Sequence, residues 1–418
     1  MGRGPVQAVP DAAVRARGER MTVPVPNHDG RLADAAGQGL RAEILPGLAA
    51  AEDLWRGLEA RGGILATPYQ RFAWVSAYVA ALPDPTGIRV LVLRDAAGRP
   101  RLLLPLSVGR SFGVRVARVV GGGQANFHLP LFADPEAAAL APAALRRALA
   151  RAGRKAGIDV FLLGPQPRLW DGTPNPLAAG APPAPSDAYG MRLGPDPEAS
   201  LRRAFSAEAR KKLRAKERRL TESLGPLAYV RAETPGERVA FLAAFHEQKA
   251  ARLAALGLRN PYADPATRAF LERAAAGPDP AIEIHALVAT GRGRVLATFA
   301  GAVDAHRFSG MLTAFDAEAE VARSSPGDLL LQHLVRDQAA RGRRSLDLGL
   351  GEARYKQNTC DETIAIAQPV LPVTPRGRAF ALAAAGLTRL KRRIKRDPRI
   401  FALLGRVRRL RARERPPA

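Results

Sequence analysis

The chain has 418 residues, 47% of them hydrophobic, and a formal net charge of +25. That length and apolar share exclude a wholly disordered chain and leave room for two domains, each with its own core. The single cysteine, Cys360, excludes intramolecular disulfides and cysteine-based zinc clusters, and the charge favours phosphate-bearing partners: a coenzyme, a nucleic acid or an anionic lipid surface.

Residues 1–39, rich in Ala, Gly, Pro and Arg, read as a disordered leader, or as an over-extended start with Met21 as the initiator. A first unit is expected over 40–164. It opens with a strand at 40–45 and an amphipathic helix at 47–61, followed by a second helix at 70–82 with Phe72, Trp74, Val75, Tyr78 and Val79 at helical spacing. Strand-like runs at 88–94, 101–108 and 114–120 suggest a meander, and a helix over 135–156 leads to a strand at 158–163. The proline-rich segment 165–200 predicts a linker.

A second unit is expected over 201–375. Its entry, 201–220, predicts one long basic helix, either a solvated face or a polyanion-binding one. A strand at 227–232, a helix at 235–256 holding His246, and a short helix around Phe270 follow. Three strands, 282–290, 294–303 and 307–315, have the alternation of an antiparallel meander. Nowhere does an apolar run approach the roughly 18 residues of a membrane span.

The densest signal lies at 324–356. Ser325-Pro-Gly-Asp predicts a helix with a capping-box start, because proline suits the first helical position and Ser-x-x-Asp pairs a cap with its reciprocal acid. The helix runs to about Arg341, Gly342 stops it, and a strand begins at Ser345; a last strand, 363–370, is expected beside it. A small-residue turn feeding a helix N-terminus directs free N–H groups and a positive dipole end at an anion. Arg323, Ser324, Ser325, Gly327, Asp328 and Leu329 are therefore candidate phosphate-binding residues, with Lys356 pairing either phosphate or Glu352.

On Ser325-Pro-Gly-Asp-Leu-Leu-Leu, Asp347, Gly351, Glu352, Tyr355-Lys356, Phe72-Ala-Trp74 and the arginine-rich entry, the chain over about 40–375 resembles GNAT N-acyltransferases. Specifically, it resembles the CelD-type (BcsL) acetyltransferases of bacterial cellulose and exopolysaccharide gene clusters, relatives of the FemAB transferases. The resemblance implies an α/β fold with mixed sheets: tandem GNAT-like halves, the first degenerate. It implies a cytoplasmic enzyme with acyl-CoA as co-substrate, no resident cofactor or metal, and a small-molecule or sugar amine as acceptor. Aminoacyl-tRNA is the alternative donor, and a non-catalytic scaffold at a polysaccharide machine the alternative role.

Amine attack on a thioester requires a base, an oxyanion donor and an acid for the leaving thiolate. GNAT enzymes often place a tyrosine near the coenzyme sulfur, so Tyr355 is the expected acid. Glu352 is the candidate base, with Asp347 or His246 as substitutes, and Asn126 and His128 are candidates for an inter-domain acceptor cleft. Residues 376–418 predict two basic amphipathic helices. These suit the protein's own core, peripheral attachment to an anionic membrane surface, or a nucleic-acid arm.

Overall fold

The computed structural model describes residues 39–396. In chain order the first unit contains β1 (Arg41–Pro46), α1 (Glu52–Arg61), α2 (Phe72–Ala80), β2 (Ile88–Arg94), β3 (Pro100–Ser111), β4 (Val114–Val119) and β5 (Leu131–Phe132). It continues through α3 (Pro135–Ala138) and α4 (Pro142–Lys155) to β6 (Val160–Leu162). The helix expected over 135–156 is thus two helices. Asp134 caps the first by accepting from the Ala137 N–H (2.6 Å), and Pro142, which lacks an N–H, starts the second.

The proline-rich stretch is built into the fold rather than free. It forms β7 (Gln166–Pro167), β8 (Leu169–Trp170), β9 (Thr173–Pro174), β10 (Ala188–Arg192) and α5 (Pro197–Ala204). Then come α6 (Ala207–Leu224), β11 (Leu227–Arg231), α7 (Pro235–Ala255), α8 (Pro265–Ala275), β12 (Ile282–Ala289), β13 (Arg294–Val303) and β14 (Arg307–Phe315). After α9 (Ala319–Arg323) and α10 (Pro326–Ala340) come β15 (Ser345–Leu350), α11 (Arg354–Thr359), β16 (Glu362–Ile364), β17 (Ile366–Ala367), β18 (Val370–Pro372) and α12 (Pro375–Arg396). The single basic helix expected over 201–220 is broken at Phe205, because Ser206 caps α6 by accepting from the Ala209 N–H (3.2 Å).

Two mixed sheets repeat one plan. In the first, β1-β2-β3-β4 are antiparallel, α4 crosses over, and β6 pairs parallel with β4; in the second, β11-β12-β13-β14 are antiparallel, α10 crosses over, and β15 pairs parallel with β14. This is the tandem α/β arrangement that the resemblance implies. Each sheet is completed from elsewhere in the chain: β10 pairs with β15, and β18 pairs with β6. The last strand expected beside 345–348 pairs instead with β10, which lies between β15 and β16. The Ala-Tyr-Gly-Met-Arg run of β10 buries Ala188, Gly190 and Met191, so a strand forms despite the surrounding prolines.

The two halves differ at the last parallel pair of each sheet. In the second sheet the last parallel pair is Ser309↔Asp347; the matching pair in the first is Arg118↔Leu162, with no carboxylate.

One apolar core runs across both units, joining Trp55, Trp74 and Phe127 to Phe245, Phe270 and Ile284. The Phe270 ring meets Trp74 at 5.0 Å and Tyr78 at 5.4 Å, edge-on. A second core under α5, α6 and α10 contains Leu201, Leu213, Leu220, Leu330 and Leu334. Helix α12 lies against the first sheet, where Gly377 approaches Asp159 O so closely that any Cβ would clash. Leu387 and Leu390 of the expected stripe, and Leu382 beside them, remain exposed on α12, so that part of the stripe is not docked on the protein's core. The second tail helix expected over 397–418, and the leader over 1–38, lie outside the described residues.

Candidate functional site

The parallel pairing of β14 with β15 lasts three residues, Arg307↔Ser345, Phe308↔Leu346 and Ser309↔Asp347. Beyond it the strands part. Met311 is the extra residue of a bulge against β13, since Ala300 faces Leu312 while Gly301 faces Gly310. The next backbone acceptor on β14, Gly310 O, is taken by a side chain of the first unit: Asn126 Nδ2 donates to it at 2.7 Å and to the Tyr69 hydroxyl at 2.8 Å. Asn126 fits because Gly349 has φ +72° and no Cβ; an added Cβ would stand 2.4 Å from Nδ2.

Asp347 sits at the apex of this wedge, fully buried. Its Oδ2 accepts from Ser309 Oγ at 2.5 Å, its Oδ1 accepts from the Gly349 N–H at 3.1 Å, and Arg307 Nη1 lies 3.9 Å away. Burial pushes its carboxyl up to about 6, against the pull of Arg307, the Ser309 hydroxyl, the Gly349 N–H and Lys356. A buried carboxylate that titrates near neutrality between two units has the properties of a general base.

At the other end of β14 stands the N-terminus of α10. The capping box expected there does not form. Ser325 adopts φ 51°, and its hydroxyl accepts from Lys216 Nζ of α6 at 2.7 Å instead of capping the helix. The N–H groups of Asp328 and Leu329 both donate to Ser325 O, and Pro326 has none, so among the residues expected to hold phosphate Gly327 keeps its N–H for a ligand. Leu329 is a core residue. Ser324 is fully buried with a hydroxyl that has no partner among the described residues. Arg323 donates to Ala319 O at 3.0 Å. Burial pushes the Asp328 carboxyl up, with Lys216 opposing.

Tyr355 lies on this side of the wedge. Tyr355 is 38% exposed, and its phenol is pushed up to about 12, chiefly by burial, so it stays protonated. Cys360 is also pushed up to about 12, chiefly by burial, and stays a thiol. Lys356 turns inward and donates to Gly349 O (3.1 Å) and Leu350 O (2.9 Å), engaging neither Glu352 nor the anion turn.

Other expected residues lie apart. Glu352 is exposed, outside the hydrogen-bonded cluster around Asp347. His246 packs against the Phe245 ring with neither ring nitrogen bonded among the described residues, and burial lowers its affinity for a proton. His128 is buried in the first unit and lowered to about 4 by that burial. Sequence reasoning missed Ser309, Arg307 and Tyr69. The available signal was the polar pair Arg307 and Ser309, two apart on one face of an otherwise apolar strand.

Residues 207–357 match the family described as "Acetyltransferase (GNAT) domain". No curated protein matches the chain in sequence. Among solved structures, FemX is similar at 10% identity, with 75% of this chain and 94% of FemX covered and a TM-score of 0.51. That likeness supports the fold across both units. The C-terminal domain (DUF2156) of a putative lysylphosphatidylglycerol synthetase from Agrobacterium fabrum is similar at 14% identity, covering 81% of this chain and 96% of that one at a TM-score of 0.45. L-PGS from Bacillus licheniformis is similar at 12% identity, covering 82% and 97%, at a TM-score of 0.46.

Proposed function

We propose that the chain is an N-acyltransferase that moves an acetyl or longer acyl group from acyl-CoA to an amine, with its chemistry in the wedge between β14 and β15. The observation that carries this reading is the buried, near-neutral Asp347 at the point where the strands part. The donor's pyrophosphate rests at the N-terminus of α10, on the Gly327 N–H, with the Ser324 hydroxyl and Lys216 beside it. The acceptor loses a proton through the Ser309 hydroxyl to Asp347, and its nitrogen attacks the thioester carbonyl. Collapse of the tetrahedral oxyanion breaks the C–S bond, and Tyr355 protonates the departing thiolate before recovering a proton from solvent. The acceptor amine is an amino sugar, a small amine or a protein lysine, and the CelD-type resemblance does not choose among them.

In a thiol-release assay, Tyr355→Phe is expected to lower turnover roughly 10- to 100-fold with unchanged donor affinity, because it removes a proton donor used only in the transition state. Wild-type turnover in that variant would remove Tyr355 from the mechanism.

A second donor has its own supporting observation. Lys211, Lys212, Arg214, Arg218 and Arg219 are exposed on α6, the helix whose Lys216 touches Ser325. That face suits the backbone of an aminoacyl-tRNA.

The proposal includes peripheral attachment to an anionic membrane. Among the described residues no helix is long and apolar enough to cross a membrane. Helix α12 instead presents exposed Leu382, Leu387 and Leu390 beside Arg389 and Arg393, and from 376 onward only Asp397 and Glu414 oppose the basic residues. Salt-sensitive co-sedimentation with anionic but not neutral vesicles is expected, and truncation after Pro375 should abolish it. Equal recovery of the truncated and full-length chains would contradict attachment through this segment.

A further inference from the structure

We infer that the tip of the β3–β4 hairpin, led by Phe112, is a membrane-contacting element whose ring enters the interfacial layer of an anionic bilayer. This rests on the peripheral attachment proposed for α12, to which it adds a second contact, and not on the acyl-transfer reading.

The hairpin closes through two residues, Phe112 and Gly113, because Ser111 pairs with Val114. Both have positive φ, 50° and 76°, as in the type I′ turn whose twist matches that of the flanking strands. Such a turn favours Asn-Gly, since a short polar side chain tolerates the left-handed region and a bulky one is strained there. Phe112 is therefore the wrong residue for the turn, and the fold gives it no packing in exchange. It is 98% exposed, more than any other large apolar residue among those described. A ring held in water on a strained backbone calls for a partner outside the chain.

Charge identifies that partner. From 96 to 133 the chain has no carboxylate, and Arg110 and Arg115 flank the tip. Arg115 Nη1 would stand 3.4 Å from a Cβ at Gly157, so Arg154 and Lys155, exposed at the end of α4, border the same patch. The tip also meets the start of α12: Phe112, Gly113 and Val114 line one surface depression with Arg376, Ala379 and Phe380. The carboxylate at this junction is Asp159. It accepts from the Thr374 hydroxyl at 2.6 Å and from the Arg115 N–H at 2.8 Å, and these bonds, with the charges of Arg376 and Arg110, hold it below the usual carboxylate range. One negative charge is thus set against Arg110, Arg115, Arg154, Lys155 and Arg376, all but Arg115 exposed.

An aromatic ring bordered by basic side chains matches an anionic lipid surface, where phosphates attract the cations while the ring settles at headgroup level. A nucleic acid shares the phosphates, but it offers no acyl layer to the exposed Leu382, Leu387 and Leu390 of the same α12. Two anchors give stable attachment where either alone is marginal.

Co-sedimentation of the full chain with phosphatidylglycerol-containing and pure phosphatidylcholine vesicles tests the inference. Phe112→Asn supplies the favoured Asn-Gly turn, so its melting temperature should equal or exceed that of the wild type while its partition onto the anionic vesicles falls roughly ten-fold. Phe112→Trp should keep the binding. Because Trp55, Trp74 and Trp170 are buried, an emission blue shift on adding anionic vesicles, quenched by brominated lipid, reports the indole at the tip. Equal partition of Phe112→Asn and wild type, or an indole that stays in water on vesicle-bound protein, overturns the inference and leaves attachment through α12 standing. Failure of the wild type to bind anionic vesicles overturns both. An emission change of Phe112→Trp with tRNA but not with vesicles overturns the inference by assigning the patch to nucleic acid.

Discussion

Asp347→Asn is expected to lower turnover roughly 10²- to 10⁴-fold, the usual worth of a positioned general base, while making the protein more stable above pH 6. The sign follows from burial. The Asp347 carboxyl titrates at about 6 in the fold, above the ordinary value of about 3.9 for an unfolded chain. A raised value means that its contribution to stability is complete below about pH 3.9 and is lost as pH rises through 6, where the folded state must hold a buried charge. A rise of about two pH units corresponds to about 3 kcal/mol. Asparagine carries no such charge, although it can satisfy only one of the Ser309 and Gly349 donors as an acceptor, at a cost of about 1 kcal/mol. Urea denaturation at pH 4 and pH 8 should therefore show the variant gaining on the wild type by about 3 kcal/mol between the two. A pH-independent difference would show that Asp347 is not a strained carboxylate, and full activity would remove it as the base.

The second large effect is expected at the wedge. Gly349→Ala should cost about 2–4 kcal/mol, because an L-residue at φ +72° is strained and its Cβ would stand 2.4 Å from Asn126 Nδ2. The two contributions separate by a double-mutant cycle. Asn126→Ala alone loses the bonds to Gly310 O and the Tyr69 hydroxyl. Added to Gly349→Ala, it relieves the clash, so the double variant should be more stable than the sum of the singles predicts by about 1 kcal/mol or more. Strict additivity would mean that Asn126 does not occupy the space above Gly349.

The second unit's meander, the crossover helix and the strand carrying Asp347 were legible, because their alternation and spacing are local. The strand β10 was not: a five-residue run between prolines carries little signal, and its place is fixed by partners more than 150 residues downstream, as in Gly190↔Asp347. Ser325 illustrates a different failure. Ser-Pro-Gly-Asp is a sound local capping pattern, but Lys216, 109 residues earlier, takes the hydroxyl and the backbone turns left-handed. At the site itself, Asp347 could be named as a carboxylate on a short strand, but not preferred over Glu352. What distinguishes them is burial, together with Ser309 from a neighbouring strand and the Asn126–Gly310 bond, which spans 184 residues. No periodicity reports contacts of that range.

The central claim is that an acyl-CoA donor binds at the start of α10. Titration calorimetry of the full chain with acetyl-CoA, for wild type and Gly327→Val, tests it directly, with an aminoacyl-tRNA titrated in parallel. A Cβ at Gly327 would meet only Phe315 Cδ1, at 3.9 Å, so Gly327→Val is expected to act mainly on ligand approach, with the melting temperature measured alongside. Saturable single-site binding of acetyl-CoA to the wild type is expected, weakened at least ten-fold by Gly327→Val. No acyl-CoA binding to the wild type, or equal affinity in the two proteins, would contradict it, and tight binding of aminoacyl-tRNA alone would identify the other donor.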